Sequence, residues 1–184
     1  MDIGFYPSIP PSIHRLHVVG ITGSGKSTLA NELARRLDLL YVQMDALDWG
    51  SNWIHCRDGE FRGRVENSAR GCTSVAGGNY AIVRDLVWLH AEAVFWLDYS
   101  LPIILCHLWK SVWRYTFTRE VLWGTNEESL RIQFFSWDSI FLWLFKLKDG
   151  AGLYSTQISQ PQFSALKVYL FRSPGDTNAW LKTW

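Results

Sequence analysis

The sequence predicts an α/β fold of three layers, a five-stranded parallel sheet flanked by helices, with a helical lid over one rim. Three observations predict it. Short apolar runs alternate with amphipathic stretches, as strand-helix-strand crossovers require. A glycine-rich stretch joins the first apolar run directly to the first helix. Two of the runs end on aspartate, at Asp45 and Asp98, and in an open parallel sheet the carboxyl ends of the strands form the rim where ligands bind.

A chain of 184 residues suffices for one sizeable core, so residues 1–184 are expected to form a single domain. With 18 basic against 17 acidic residues the net charge is +1, which offers no footprint for a nucleic acid or a membrane surface. Pro7, Pro10 and Pro11 precede Arg15, the first basic residue, so no charged start leads into an apolar signal core,. A loose N-terminal arm over residues 1–13 and a cytoplasmic protein are expected. Cys56, Cys72 and Cys106 are odd in number and without C-x-x-C spacing, which suits a reducing compartment.

The first strand is Leu16-His17-Val18-Val19, and it runs into Gly20-Ile21-Thr22-Gly23-Ser24-Gly25-Lys26-Ser27-Thr28. This stretch fits G-x-x-x-x-G-K-[ST], the phosphate-binding loop. Gly20, Gly23 and Gly25 let the backbone curl so that its N–H groups, with those of Ser24 and Thr28, point at an anion. Lys26 is placed to reach the outer phosphates of ATP, and the Ser27 hydroxyl to help hold Mg2+. Leu29, Leu33 and Leu37 then recur every four residues, giving an amphipathic helix,.

Residues 39–44 read as the second strand, ending at Asp45, whose carboxylate is placed to orient or deprotonate an acceptor hydroxyl. The alternative is a turn or helix-capping aspartate, a role that suits Asp48 better. Residues 50–71 are expected to be a substrate-side insertion, with a charged helix from Glu60 that turns Phe61 and Val65 inward. Residues 71–76 give a weaker third strand, followed by Gly77-Gly78-Asn79-Tyr80 and a helix over 81–90. Arg84, one turn into that helix, suits a phosphate or carboxylate on the acceptor; its alternative is a surface arginine paired with Asp85 or Glu92.

Ala93-Val94-Phe95-Trp96-Leu97 closes on Asp98, the shape of an element whose carboxylate helps fix Mg2+ through water. In the helix from Pro102, His107, Lys110 and Arg114 fall on one face, either as a cationic stripe toward the transferring phosphates or as a plain solvated face. Arg119 lies beyond, and residues of about 110–127 form the expected lid. Thr125 and Glu128 have capping-box spacing. Residues 132–147 are apolar but interrupted by Asp138, and too short to cross a bilayer. Residues 166–171 give the fifth strand, and 176–181 a last helix.

Laid out in this order, the chain resembles the adenylate kinase-like proteins of the P-loop NTPase fold, and more narrowly the small kinase-like members labelled topology-modulation proteins. The carrying residues are 20–28, 44–49, Gly78-Asn79-Tyr80, Val83-Arg84-Asp85, 96–99, 118–123 and Phe171-Arg172-Ser173-Pro174. The resemblance implies an ATP-dependent kinase acting on a nucleotide, nucleoside or similar small acceptor, with the acceptor pocket around Asp45 and Arg84 and a lid that contributes Arg114 and Arg119. It also implies an acidic residue where this chain has Gly77, and a lid arginine near where it has His107. A degenerate nucleotide-binding protein, or slow ATPase acting through conformation, is therefore the alternative function. No N-K-x-D stretch is present to read guanine.

Overall fold

The structure, a computed structural model, describes residues 3–4, 9–10, 12–48, 55–69, 74–78, 80–118, 154 and 156–183, with the backbone alone at 3–4, 69 and 111–118. Its centre is the strand β2 (Arg15–Gly20), which follows β1 (Ile3–Gly4) and leads through the glycine loop into helix α1 (Lys26–Leu37). Strand β3 (Leu40–Gln43) passes without a break into α2 (Met44–Asp48). Helix α3 (Asp58–Ala69) precedes β4 (Ser74–Gly77), and a 3-10 turn at Ala81–Val83 opens α4 (Arg84–His90). After β5 (Ala93–Leu97) comes α5 (Leu101–Thr118), and the chain ends with β6 (Lys167–Phe171) and α6 (Pro174–Leu181).

The strands lie in the order β1-β6-β5-β2-β4-β3, and every pairing is parallel. The five expected strands form the body of the sheet. The addition is β1, whose Ile3 and Gly4 pair with Val168 and Tyr169; two residues are too few to leave a pattern in the sequence. Ile9 and Ile13 are buried as well, so the stretch expected to be a loose arm is docked at these points.

Each face of the sheet carries its own core, which makes three layers. Leu29 and Leu33 of α1 pack with Phe95, Tyr169, Phe171 and Trp180 on one side. Phe61 and Val65 of α3 pack with Val87, Trp88, Trp96 and Tyr154 on the other. All five residues of β5 are buried, as expected of a central parallel strand covered on both faces. Along it Phe95 and Leu97 enter the first core, and Val94 and Trp96 the second, the period of two that a pleated strand imposes.

The register brings the carboxyl ends to one rim. Gly20 lies opposite Leu97, and Leu97 opposite Phe171; Val18 lies opposite Gly77, and Gly77 opposite Gln43. The glycine loop, Asp45, the Gly77-Gly78 turn and Asp98 therefore share that rim. Among the described residues no helix is long and apolar enough to cross a membrane.

Candidate active site

The glycine loop has the geometry of an anion cradle. Gly23 and Gly25 have φ of 80° and 88°, a left-handed conformation that glycine adopts without the cost a side chain imposes. Gly25 caps α1, so the first N–H groups of the helix open onto the loop,. Gly20 is constrained by space: a Cβ there would lie 2.7 Å from Ser24 Oγ and 2.8 Å from the Leu97 carbonyl. Ser24 Oγ is the one buried side-chain polar atom among the described residues with no hydrogen-bond partner. A buried hydroxyl without a partner costs stability unless a ligand supplies one, and a phosphate oxygen would do so.

Lys26 Nζ folds back over this cradle and donates to the Ile21 carbonyl at 3.0 Å. Burial lowers its pKa from 10.5 to about 8, with the nearby Asp45 carboxylate opposing the shift. The Asp45 carboxylate is therefore near enough to act on the ammonium electrostatically. Tyr80 Oη donates to Asp45 Oδ1 at 2.6 Å. Burial, then the bond to Asp45, drives the phenol pKa upward, so Tyr80 is a fixed donor. Its ring packs edge-on against Phe61 at 4.8 Å, so α3 braces the residue that orients Asp45. A carboxylate can accept more than one donor, which leaves capacity for an acceptor hydroxyl.

Asp48 takes a different part. Buried at the end of α2, it pairs through Oδ2 with His55 Nδ1 at 2.7 Å, while Cys56 N donates to its backbone carbonyl at 2.9 Å. It ties down the chain ahead of α3 and caps no helix N-terminus.

Behind the rim lies a buried polar chain that sequence reasoning missed. Trp88 Nε1, which can only donate, meets His17 Nδ1 at 2.9 Å, so Nδ1 carries no proton. The proton is on Nε2, which donates to the Gly78 carbonyl at 3.3 Å. Burial holds His17 neutral, its pKa lowered from 6.5 to about 3, with Arg84 adding to the fall and the Gly78 bond opposing it. The imidazole thus anchors the Gly77-Gly78 turn from below. A histidine inside an apolar strand was the only signal available.

Arg84 is 7% exposed. Its guanidinium lies 4.6 Å from the Tyr154 ring centre and 5.7 Å from that of Trp88, and it donates to Gln157 Oε1. Asp85 and Glu92, its suggested surface partners, pair instead with Arg62 and Arg15. On α5, His107 Nδ1 donates to the Gly23 carbonyl at 3.1 Å, which ties that helix to the phosphate loop, while Lys110 is exposed. Arg114 lies in the part of α5 described by backbone alone. Arg119, the capping box at Thr125 and Glu128, and the apolar run 132–147 lie outside the described residues.

The donors suit a hard cation. Ser27 is the second residue of α1, and Asp45 and Asp98 lie on the same rim. No group of three or more His, Cys, Asp or Glu side chains that could hold a metal occurs among the described residues. Such a sparse set fits Mg2+, which keeps waters and binds through one or two protein oxygens and substrate phosphates.

No protein-family model matches the chain. A shikimate kinase of Rippkaea orientalis (strain PCC 8801 / RF-1) is 31% identical over 107 residues, which cover 50% of this chain and 57% of that protein. The matched part thus spans a little over half the length of this curated relative. The solved structure of shikimate kinase from Bacteroides thetaiotaomicron superposes with a TM-score of 0.56 at 14% identity, over 93% of this chain and 96% of that one. The fold is the α/β fold of P-loop NTPases, of the form found in small-molecule kinases.

Proposed function

We propose that the chain is an ATP-dependent phosphotransferase that moves the γ-phosphoryl group of ATP to a hydroxyl of a small acceptor. The observation that carries this reading is the glycine cradle with Lys26 folded over it, the Asp45 carboxylate lying near enough to act on the ammonium. A cation for the outer phosphates and a carboxylate for an acceptor hydroxyl are the two groups an in-line transfer needs side by side.

In this reading the loop N–H groups from Gly20 to Thr28, with Ser24 Oγ, bind the phosphates. Ser27 and Asp98 hold Mg2+, which supplies charge neutralisation across the phosphates when bound. Asp45, oriented by Tyr80, takes the acceptor proton. Arg84, held by Gln157, steadies the acceptor side. Arg114 and Arg119 supply further positive charge from α5 and the chain beyond it, as a lid.

The kinship of finest grain is with the adenylate kinase-like, topology-modulation type, supported by Gly78, Tyr80, Arg84 and the run Leu97, Asp98, Tyr99. The acceptor is a nucleotide, a nucleoside or a similar small molecule. The curated relative adds a small hydroxylated carboxylate such as shikimate to the candidates. Purified protein with Mg-ATP is expected to phosphorylate at least one member of a panel of nucleotides, nucleosides, shikimate and gluconate. Absence of transfer to every member rejects the kinase reading.

A second reading is favoured by one observation. Where the resemblance implies an acidic residue the chain has Gly77, and the Tyr41 ring lies beside it. In this reading the protein binds ATP and turns it over slowly or not at all, working through conformation. Tight ATP binding with no transfer across the panel selects it.

A further inference from the structure

Helix α5 packs directly onto the phosphate loop. A Cβ on Gly23 would lie 2.7 Å from Leu108 Cγ, 2.9 Å from Leu108 Cδ2 and 3.3 Å from the Ile104 carbonyl, so only glycine admits the helix this close. Ile104 is fully buried, which fixes α5 at that separation. Glycine at this position has a second effect. Its backbone reaches conformations closed to other residues, so the peptide between Gly23 and Ser24 is free to turn over at little cost unless something holds it.

Two bonds hold it. On the inner side Ser24 N donates to the Ile21 carbonyl at 3.1 Å, the same oxygen that accepts from Lys26 Nζ at 3.0 Å. On the outer side the Gly23 carbonyl accepts from His107 Nδ1 at 3.1 Å. A carbonyl oxygen can only accept, so Nδ1 carries a proton. The imidazole is itself braced edge-on by the ring of Tyr99, with centres 6.2 Å apart and planes at 79°, and Tyr99 Oη bonds to Thr177 Oγ1 at 2.6 Å. Turned over, the peptide would set the Gly23 carbonyl on the side over which Lys26 folds. An oxygen there would repel phosphates, which need donors at that place.

We propose that His107 is a positioning residue for the phosphate loop: its Nδ1–H holds the Gly23 carbonyl against α5, so the loop has its anion-binding shape before a nucleotide arrives. Binding energy that would otherwise go into ordering the loop is then kept for the ligand. The proposal rests on the nucleotide-binding reading given above and deepens it.

The test measures, by calorimetry on the full chain in excess Mg2+, the affinity for ATP and for inorganic tripolyphosphate, which presents phosphates without a base. His107→Phe keeps a ring against Tyr99 and removes the donor, and His107→Ala removes both. His107→Asn gives up the ring but puts an amide N–H near the place of Nδ1. His107→Phe and His107→Ala are expected to weaken both ligands by the same factor, about 3- to 10-fold, the weight of one hydrogen bond. His107→Asn should recover most of that loss. A loss confined to ATP would put the imidazole against the base of the nucleotide, and a loss in His107→Asn as large as in His107→Ala would make the ring, not the donor, the part that matters. Either result, an undiminished affinity in His107→Ala, or a parent that binds ATP but not tripolyphosphate overturns the role of His107 while leaving nucleotide binding intact. A parent protein that binds neither ligand sinks both the nucleotide reading and this one.

Discussion

Replacing Lys26 by methionine should make the unliganded protein more stable while abolishing nucleotide binding. The folded chain keeps the Lys26 ammonium half-buried, with a pKa of about 8 against an ordinary 10.5. Because the folded pKa is the lower of the two, the unfolded chain holds this proton more firmly. Stability is therefore withheld below pH 8 and recovered as pH climbs toward 10.5. The full difference corresponds to about 3.4 kcal/mol. Solvent access to the ammonium and the bond from Nζ to the Ile21 carbonyl, worth about 1 kcal/mol, reduce the expected net gain for Lys26→Met to about 1–2 kcal/mol at pH 7.

Urea unfolding followed by tryptophan fluorescence, run from pH 7 to 10.5, measures this directly. The advantage of the variant should shrink as pH rises past 8. Saturating Mg-ATP should reverse the ranking, since ligand at 100 times its Kd adds about 2.7 kcal/mol to the parent and nothing to a variant that no longer binds. A variant less stable than the parent at pH 7, or a difference that does not change with pH, would refute the claim that Lys26 is held in place for a ligand at the expense of the fold.

Four further outcomes follow from the site and the core. His17, with a folded pKa of about 3 against 6.5, contributes stability that is present above pH 6.5 and lost as pH falls toward 3; at pH 4.5 the loss is about 2.7 kcal/mol, and His17→Gln, compared by urea unfolding at pH 7 and 4.5, should lack this increment. Asp45→Asn should lower the transfer rate about 100-fold or more with Mg-ATP affinity within a few-fold of the parent's, and Tyr80→Phe should lower kcat/KM for the acceptor by about tenfold or less with its melting temperature nearly unchanged, both read in a coupled kinase assay. Leu33, fully buried on α1, should cost about 2–5 kcal/mol on replacement by alanine, measured as a shift in the urea midpoint.

What could be read from the sequence divides along a physical line. Features set by neighbouring residues were legible. The spacing of Gly20, Gly23, Gly25 and Lys26 is itself the cradle, because the curl of the loop depends on local φ values. The strand expected at 93–97 is β5 residue for residue, because an unbroken apolar run has few alternatives to a buried strand. The inward turn of Phe61 and Val65 followed from their spacing of four. Boundaries were less secure: residue 44, expected to end the second strand, begins α2, since a strand and a helix can share an apolar residue.

The chemistry of the rim was not legible, because it depends on which strands become neighbours. Tyr41 reaches the niche at Gly77 only because β4 is inserted between β2 and β3, a pairing that no local periodicity encodes. The proton on His17 Nε2 is assigned by Trp88, 71 residues away. The same order of strands changes the meaning of Gly77. From the sequence it reads as a missing acid, a loss at the metal site. With the Tyr41 ring beside it, the glycine is a point of close approach between β4 and β3. Restoring an acid by Gly77→Asp alone should therefore fail to improve turnover, since its Cβ would meet the Tyr41 ring at 3.1 Å. Gly77→Asp combined with Tyr41→Val, which clears the ring, is the variant that asks whether an acid helps. A faster single Gly77→Asp variant in the coupled assay would refute this steric argument.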